Sequence, residues 1–184
     1  MKDKLKLRDP FFMENVCHDQ PYSSWVLMAP YCDFKCYGCQ NKEVVRGKVD
    51  SFSIYYLKNE FKDNPFVDGI TVAGLEICLS GSDFIKDLYY FIKLANISRV
   101  TIYSRFELDD ERLSSFLEKI KDLECVTELY CKTGKYIDEL DSKISNFYYK
   151  GNPWSICLGS KNQDFNIIKG NELIKLTVND DCLK

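Results

Sequence analysis

The stretch GITVAGLEICLSGSDFIKDLYYFIKLANISRVTIYS, residues 69–104, decides the fold class. Its first six residues, GITVAG, are an apolar, β-branched run with glycine at both ends, the pattern of a buried strand. Residues 82–95 (SDFIKDLYYFIKLA) then space Phe84, Leu88, Phe91 and Ile92 along one helical face. RVTIYS (99–104) returns to a strand. Strand, helix and strand in close succession predict a parallel pair crossed by a helix.

The alternation extends outward in both directions. Ser24 to Ala29 is a compact apolar run ended by Pro30, and 51–62 (SFSIYYLKNEFK) reads as a helix behind an Asp50 cap. DDERLSSFLEKIKDL (109–123) is an amphipathic helix with acids in its first turn, which suits the helix dipole. VTELYCK (126–132) is a strand closed by Gly134, and WSICLG (154–159) and ELIKLTV (172–178) read as further strands. The expectation is an α/β domain, residues 1–184, with a mostly parallel sheet covered by helices. Ligands of such sheets sit beyond the carboxyl ends of the strands. The loops to watch are therefore 30–41, 74–81, 104–108, 132–135 and 159–163.

Composition narrows the function classes. The 184 residues are 45% hydrophobic and include 12 Phe and 12 Tyr, enough for a real core and incompatible with disorder throughout. With 25 basic against 28 acidic residues the net charge is −3, so a dedicated nucleic-acid binder is not expected. No apolar run approaches the roughly 18 residues of a membrane span. The opening MKDKLKLRDP is charged and has no apolar signal core, so a cytoplasmic location is expected.

Nine cysteines, at 17, 32, 36, 39, 78, 125, 131, 157 and 182, are the unusual feature. An odd number cannot all pair, and a chain of this size needs no disulfide staples. Cys32-Asp-Phe-Lys-Cys36-Tyr-Gly-Cys39 follows the first predicted strand directly. Chance would place such a C-x3-C-x2-C triplet in roughly 0.02 of chains with this many cysteines. Pro30 and Gly38 argue against a plain helix burying three thiols. Three thiolates on a tight loop suit a four-iron cubane that keeps one iron free of protein ligands. Structural zinc prefers four protein ligands, for which His18 or Cys17 could supply the fourth. The other thiols, Cys78, Cys125, Cys131, Cys157 and Cys182, read as small buried hydrophobes.

At these residues the sequence resembles the radical S-adenosylmethionine superfamily. The resemblance implies that Cys32, Cys36 and Cys39 hold a [4Fe–4S] cluster whose open iron is chelated by S-adenosylmethionine. It implies reductive cleavage of the C5′–S bond to a 5′-deoxyadenosyl radical, with the protein supplying placement and exclusion of water. The family usually has an aromatic residue before the third cysteine, over the adenine. Here Gly38 holds that place, so Tyr37 or Phe34 is expected to do the stacking. Gly74-Leu75-Glu76 looks like the family's Gly-Gly-Glu element, with Leu75 for the second glycine and Ile77 for the common proline. That match implies a contact from Gly74 and Glu76 to the ammonium of S-adenosylmethionine. By the same resemblance, Tyr103 and Ser104 would meet the ribose and Lys132 the carboxylate.

Leu158-Gly-Ser-Lys-Asn162-Gln163 and Lys132-Thr-Gly-Lys-Tyr-Ile-Asp-Glu-Leu140 are similar to segments of the activating proteins of anaerobic ribonucleoside-triphosphate reductases. The likeness covers about Ser24 to Gln163 and adds Asn162 to the candidate site. It implies a partial (β/α) barrel of about five to six strands, open on one side. It implies a glycyl radical installed on the reductase, and a reduced flavodoxin or ferredoxin-type electron donor. The aromatic stretch 146–154 is a candidate rim for docking that protein. Two other readings stand beside this one: a small-molecule radical enzyme like the one forming 7-carboxy-7-deazaguanine, and a zinc-stabilised binding module.

Overall fold

A computed structural model describes residues 4–8, 14–15, 20–33, 36–39, 41–137, 141–142, 145–149, 152–156, 159–160, 162–170 and 172–176. In chain order the elements begin with β1 (Lys4–Arg8), β2 (Glu14–Asn15), β3 (Ser24–Met28), β4 (Val49–Ser53) and α1 (Ile54–Asp63). β5 (Gly69–Ala73), α2 (Ser82–Ala95), β6 (Arg99–Tyr103), α3 (Glu111–Lys121) and β7 (Glu128–Thr133) follow. The rest is β8 (Asp141–Ser142), β9 (Ser145–Tyr149), β10 (Asn152–Ile156), β11 (Gly159–Ser160), β12 (Asp164–Lys169) and β13 (Glu172–Leu176).

Seven strands form one open sheet in the order β13-β12-β7-β6-β5-β3-β2. Its centre is parallel, with β3 on β5, β5 on β6 and β6 on β7. Each crossover steps to the next strand in the same direction, so right-handed connections send every helix to one face. The buried side chains follow that rule. Leu57 of α1, Leu88 and Phe91 of α2 and Leu117 of α3 share one core with Leu27, Val72, Ile102 and Leu129 of the sheet. The opposite face carries a smaller core of Tyr22, Tyr130, Phe165, Ile167 and Leu176. Between these, hydroxyls pair across the strands: Tyr22 with Thr101 at 2.7 Å and Ser24 with Thr71 at 2.8 Å.

The sheet is mixed where a mostly parallel one was expected. β12 is antiparallel to β7, β13 to β12, and β2 to β3. The reason is connection length: β12 and β13 are joined through Gly170 at φ 58°, a tight turn that only antiparallel neighbours can share. The strand expected over 154–159 is instead β10, paired with β9 in a separate ribbon, followed by β11, paired with β8. The helix expected over 51–62 begins only at Ile54, with Ser53 rather than Asp50 at its cap. The residues before it alternate outward and inward as β4, which pairs with β1 in a two-stranded ribbon. Leu5 and Leu7 of that ribbon are fully buried in the helix-side core, and β1 packs against α2. Among the described residues no helix is long and apolar enough to cross a membrane.

Candidate functional site

The carboxyl ends of β3, β5, β6 and β7 open into one cavity of about 320 Å³. That lies within the ~300–1,000 Å³ usual for small-molecule sites. Cys32, Cys36 and Cys39 form one wall, Gly74, Leu75 and Glu76 a second, and Tyr103, Ser104, Arg105 and Lys132 a third. Gln163 arrives from the turn before β12. Sequence positions from 32 to 163 thus converge where a singly wound α/β sheet presents its ligands.

The cysteine loop leaves β3 after Pro30 and turns through Gly38 at φ 70°, where Cys39 N–H donates to the Cys36 carbonyl at 3.3 Å. None of the three is in a disulfide, and each is half-buried. Tyr37 is 78% exposed, lies beneath the Lys42 ammonium, and, like Gly38, is outside the cavity lining. Phe34, Cys17, His18, Cys157 and Cys182 lie outside the described residues, as do Leu158, Lys161 and residues 138–140. The side chains of the proposed docking rim, 146–154, lie outside them too.

Gly74 sits at φ 85°, a left-handed conformation that favours glycine and strains any other residue. It lets the chain turn sharply so that Glu76 faces back over the sheet. Glu76 is 4% exposed, and three groups of this chain bond to its carboxylate. Cys78 N–H donates to Oε1 at 3.2 Å, Ser104 Oγ to Oε1 at 2.8 Å, and Arg105 N–H to Oε2 at 2.9 Å. Among the described residues no Lys or Arg forms an ion pair with it. Arg112 lies near enough to feel the Glu76 charge without pairing with it, so a cationic ligand in the cavity could still gain a direct charge-assisted contact to this carboxylate. The neighbouring Cys78 thiol is pushed up to about 12, first by burial and next by the Glu76 charge, so it stays protonated at neutral pH.

Ser104 is therefore tied up locally. Its hydroxyl donates to Glu76 and accepts the Phe106 N–H at 3.1 Å, which makes it a strut under the carboxylate more than a ribose contact. Lys132 does line the cavity, with its ammonium 4.3 Å from the centre of the Tyr103 ring. Asn162 does not; it is exposed and donates to the Lys135 carbonyl at 2.8 Å. Its neighbour Gln163 donates to the Gly134 carbonyl at 2.8 Å and accepts Ser160 N–H at 3.2 Å. Ile137 N–H reaches Ser160 Oγ at 3.2 Å. The Ser-x-Asn-Gln element thus braces the loop after β7. A side chain at Gly134 (φ 104°) would press on Asn162 and Gln163.

Lining residues outside the expected site include Asn41, Val45, Arg105, Tyr136 and Gln163, the last quoted only as part of the segment around Asn162. Asn41 Nδ2 donates to the Gly74 carbonyl at 2.7 Å and staples the end of the cysteine loop to the β5 loop. A polar amide two residues beyond the third cysteine was its only visible signal. Arg105 follows Ser104, and Gln163 follows Asn162, so each lay one position from a chosen residue.

Among the described residues no three His, Cys, Asp or Glu side chains converge to hold a single metal ion. A cubane would make a different demand, one thiolate on each of three irons rather than three on a single ion. Compared with protein-family models, with curated proteins and with solved structures, the chain matches none.

Proposed function

We propose that this chain is a radical S-adenosylmethionine enzyme that installs a glycyl radical on an anaerobic ribonucleoside-triphosphate reductase. The observation that carries the reading is the meeting of the C-x3-C-x2-C loop with a buried Glu76, which forms no ion pair with a described Lys or Arg, in one cavity at the strand ends. Cys32, Cys36 and Cys39 would hold the [4Fe–4S] cluster, and S-adenosylmethionine would lie between them and β6. When bound, the cluster supplies one electron from a reduced flavodoxin or ferredoxin-type donor, which splits S-adenosylmethionine to methionine and a 5′-deoxyadenosyl radical able to take a glycine hydrogen atom. Glu76 supplies the negative field for the ammonium, with Oε2 still able to accept beside its single bond from Arg105. Lys132, steadied on the Tyr103 face, supplies the positive field for the carboxylate. The described strands form an open sheet rather than a closed barrel, and on this reading a peptide loop would enter beside one of its edges.

The test is anaerobic reconstitution with iron and sulfide, followed by assays for absorbance near ~400 nm and for cleavage of S-adenosylmethionine. Mixing the reduced protein with the reductase from the same source should yield a glycyl doublet by electron paramagnetic resonance. Cleavage supported only by a small molecule would move the protein to the metabolite-modifying branch. A colourless, redox-silent protein would leave it a zinc module.

A further inference from the structure

We propose that Arg8 is a positioning residue that clasps the cysteine loop shut, an inference that rests on the cluster reading only for its benefit to metal binding. Arg8 ends β1 on the same face of the ribbon as Lys4 and Lys6, opposite the buried Leu5 and Leu7. Its guanidinium reaches both ends of the loop at once. Nε and Nη2 donate to the Pro30 carbonyl at 2.9 and 2.5 Å, and Nη1 donates to the Gly47 carbonyl. Pro30 lies two residues before Cys32, and Gly47 closes the turn that follows the cysteines.

From the cavity side the same loop is held by two further bonds. Glu76 N–H donates to the Tyr31 carbonyl at 3.1 Å, and Asn41 bonds to Gly74. Arg8 supplies the tie from the ribbon side. Only a planar guanidinium can reach two carbonyls in different directions while its charge strengthens each bond. No described carboxylate lies within ion-pair distance of Arg8, so its charge is directed at the loop. The clasp has two consequences. It removes closure entropy before any metal arrives. It also places a fixed positive charge at the base of a loop that would gather three thiolates.

Hydrogen exchange on the metal-free protein reads the clasp directly. Arg8→Met should speed exchange of amides in 31–47 by roughly tenfold or more, the scale of losing charge-assisted bonds. Peptides from α2 should keep the wild-type rate. Arg8→Lys, which can reach one carbonyl but not both, should fall between and serves if the methionine variant folds poorly. After reconstitution, release of iron to a chelator should follow the same order. Unchanged exchange in 31–47 overturns the proposal. Acceleration in 31–47 and α2 together also overturns it, because Arg8 would then be supporting the fold as a whole. A wild-type protein that retains no iron would refute the cluster reading and leave the exchange result standing.

Discussion

Replacing Glu76 by glutamine keeps the size of the side chain and removes its charge. In the native structure Oε1 accepts from Cys78 N–H and Ser104 Oγ, and Oε2 accepts from Arg105 N–H. A glutamine can keep its oxygen toward the first two donors, but its NH2 then faces the Arg105 N–H across the 2.9 Å now spanned by a bond. The flipped amide is worse, since it confronts two donors at once. One unmet, partly buried donor costs about 1–3 kcal/mol. In a chain of this length each kcal/mol moves the melting temperature by roughly 2–4 °C, so the metal-free variant should melt about 2–12 °C lower. The same substitution removes the negative field offered to an ammonium. On the reconstituted protein, titration calorimetry should show S-adenosylmethionine binding roughly ten- to a hundredfold weaker, with iron content unchanged. A variant melting within about 1 °C of wild type would refute the strut, because the three bonds would then carry no net stability. Unchanged affinity would remove Glu76 from ligand recognition.

Three further outcomes are expected. Alanine at Cys32, Cys36 or Cys39 should abolish iron retention, whereas Cys125→Ala, at a thiol 3.8 Å from the Ile92 carbonyl beneath α2, should leave iron per chain as in wild type. Gly74→Ala should destabilise the fold, since φ 85° strains an L side chain, and its methyl would push the end of the Met28 side chain aside; a native-like midpoint in urea unfolding would show that this is wrong. The Cys78 thiol is raised from 9.0 to about 12 by burial and Glu76, so folding holds its proton more tightly than the unfolded chain does. Its contribution is complete below pH 9 and lost as pH climbs toward 12, so the urea midpoint of Cys78→Ala should fall less steeply with pH over that window than that of wild type.

The parallel centre was legible because its signals are local. GITVAG, RVTIYS and the helix 82–95 each carry their own periodicity, and α2 starts and stops at the expected residues. What escaped was pairing. KLKLR at 4–8 alternates as a strand should, yet it was read only for lacking an apolar signal core, and its partner lies more than forty residues away in β4. DFNIIK (164–169) lacks clean alternation because its strand is central and covered on both faces. At the site, chemistry-bearing types were visible and side-chain direction was not. Asn162 and Gln163 are adjacent and chemically alike, and only the turn at 160–163 decides that the second meets the cavity. Ser104 was visible as a hydroxyl at a strand end, but its commitment to Glu76 depends on how two loops approach each other.

The strand order also sets a timetable for synthesis. β5 docks on β3, β6 on β5 and β7 on β6, each on a strand already made, so the parallel centre can assemble vectorially as the chain leaves the ribosome. The cavity cannot. Its first wall is translated by residue 39 and its last lining residue, Gln163, only after β7 is complete. A nascent chain therefore exposes its cysteine triplet well before the brace behind Lys132 exists. A ligand that needs the finished enclosure would be held only once Gln163 has joined the end of β7.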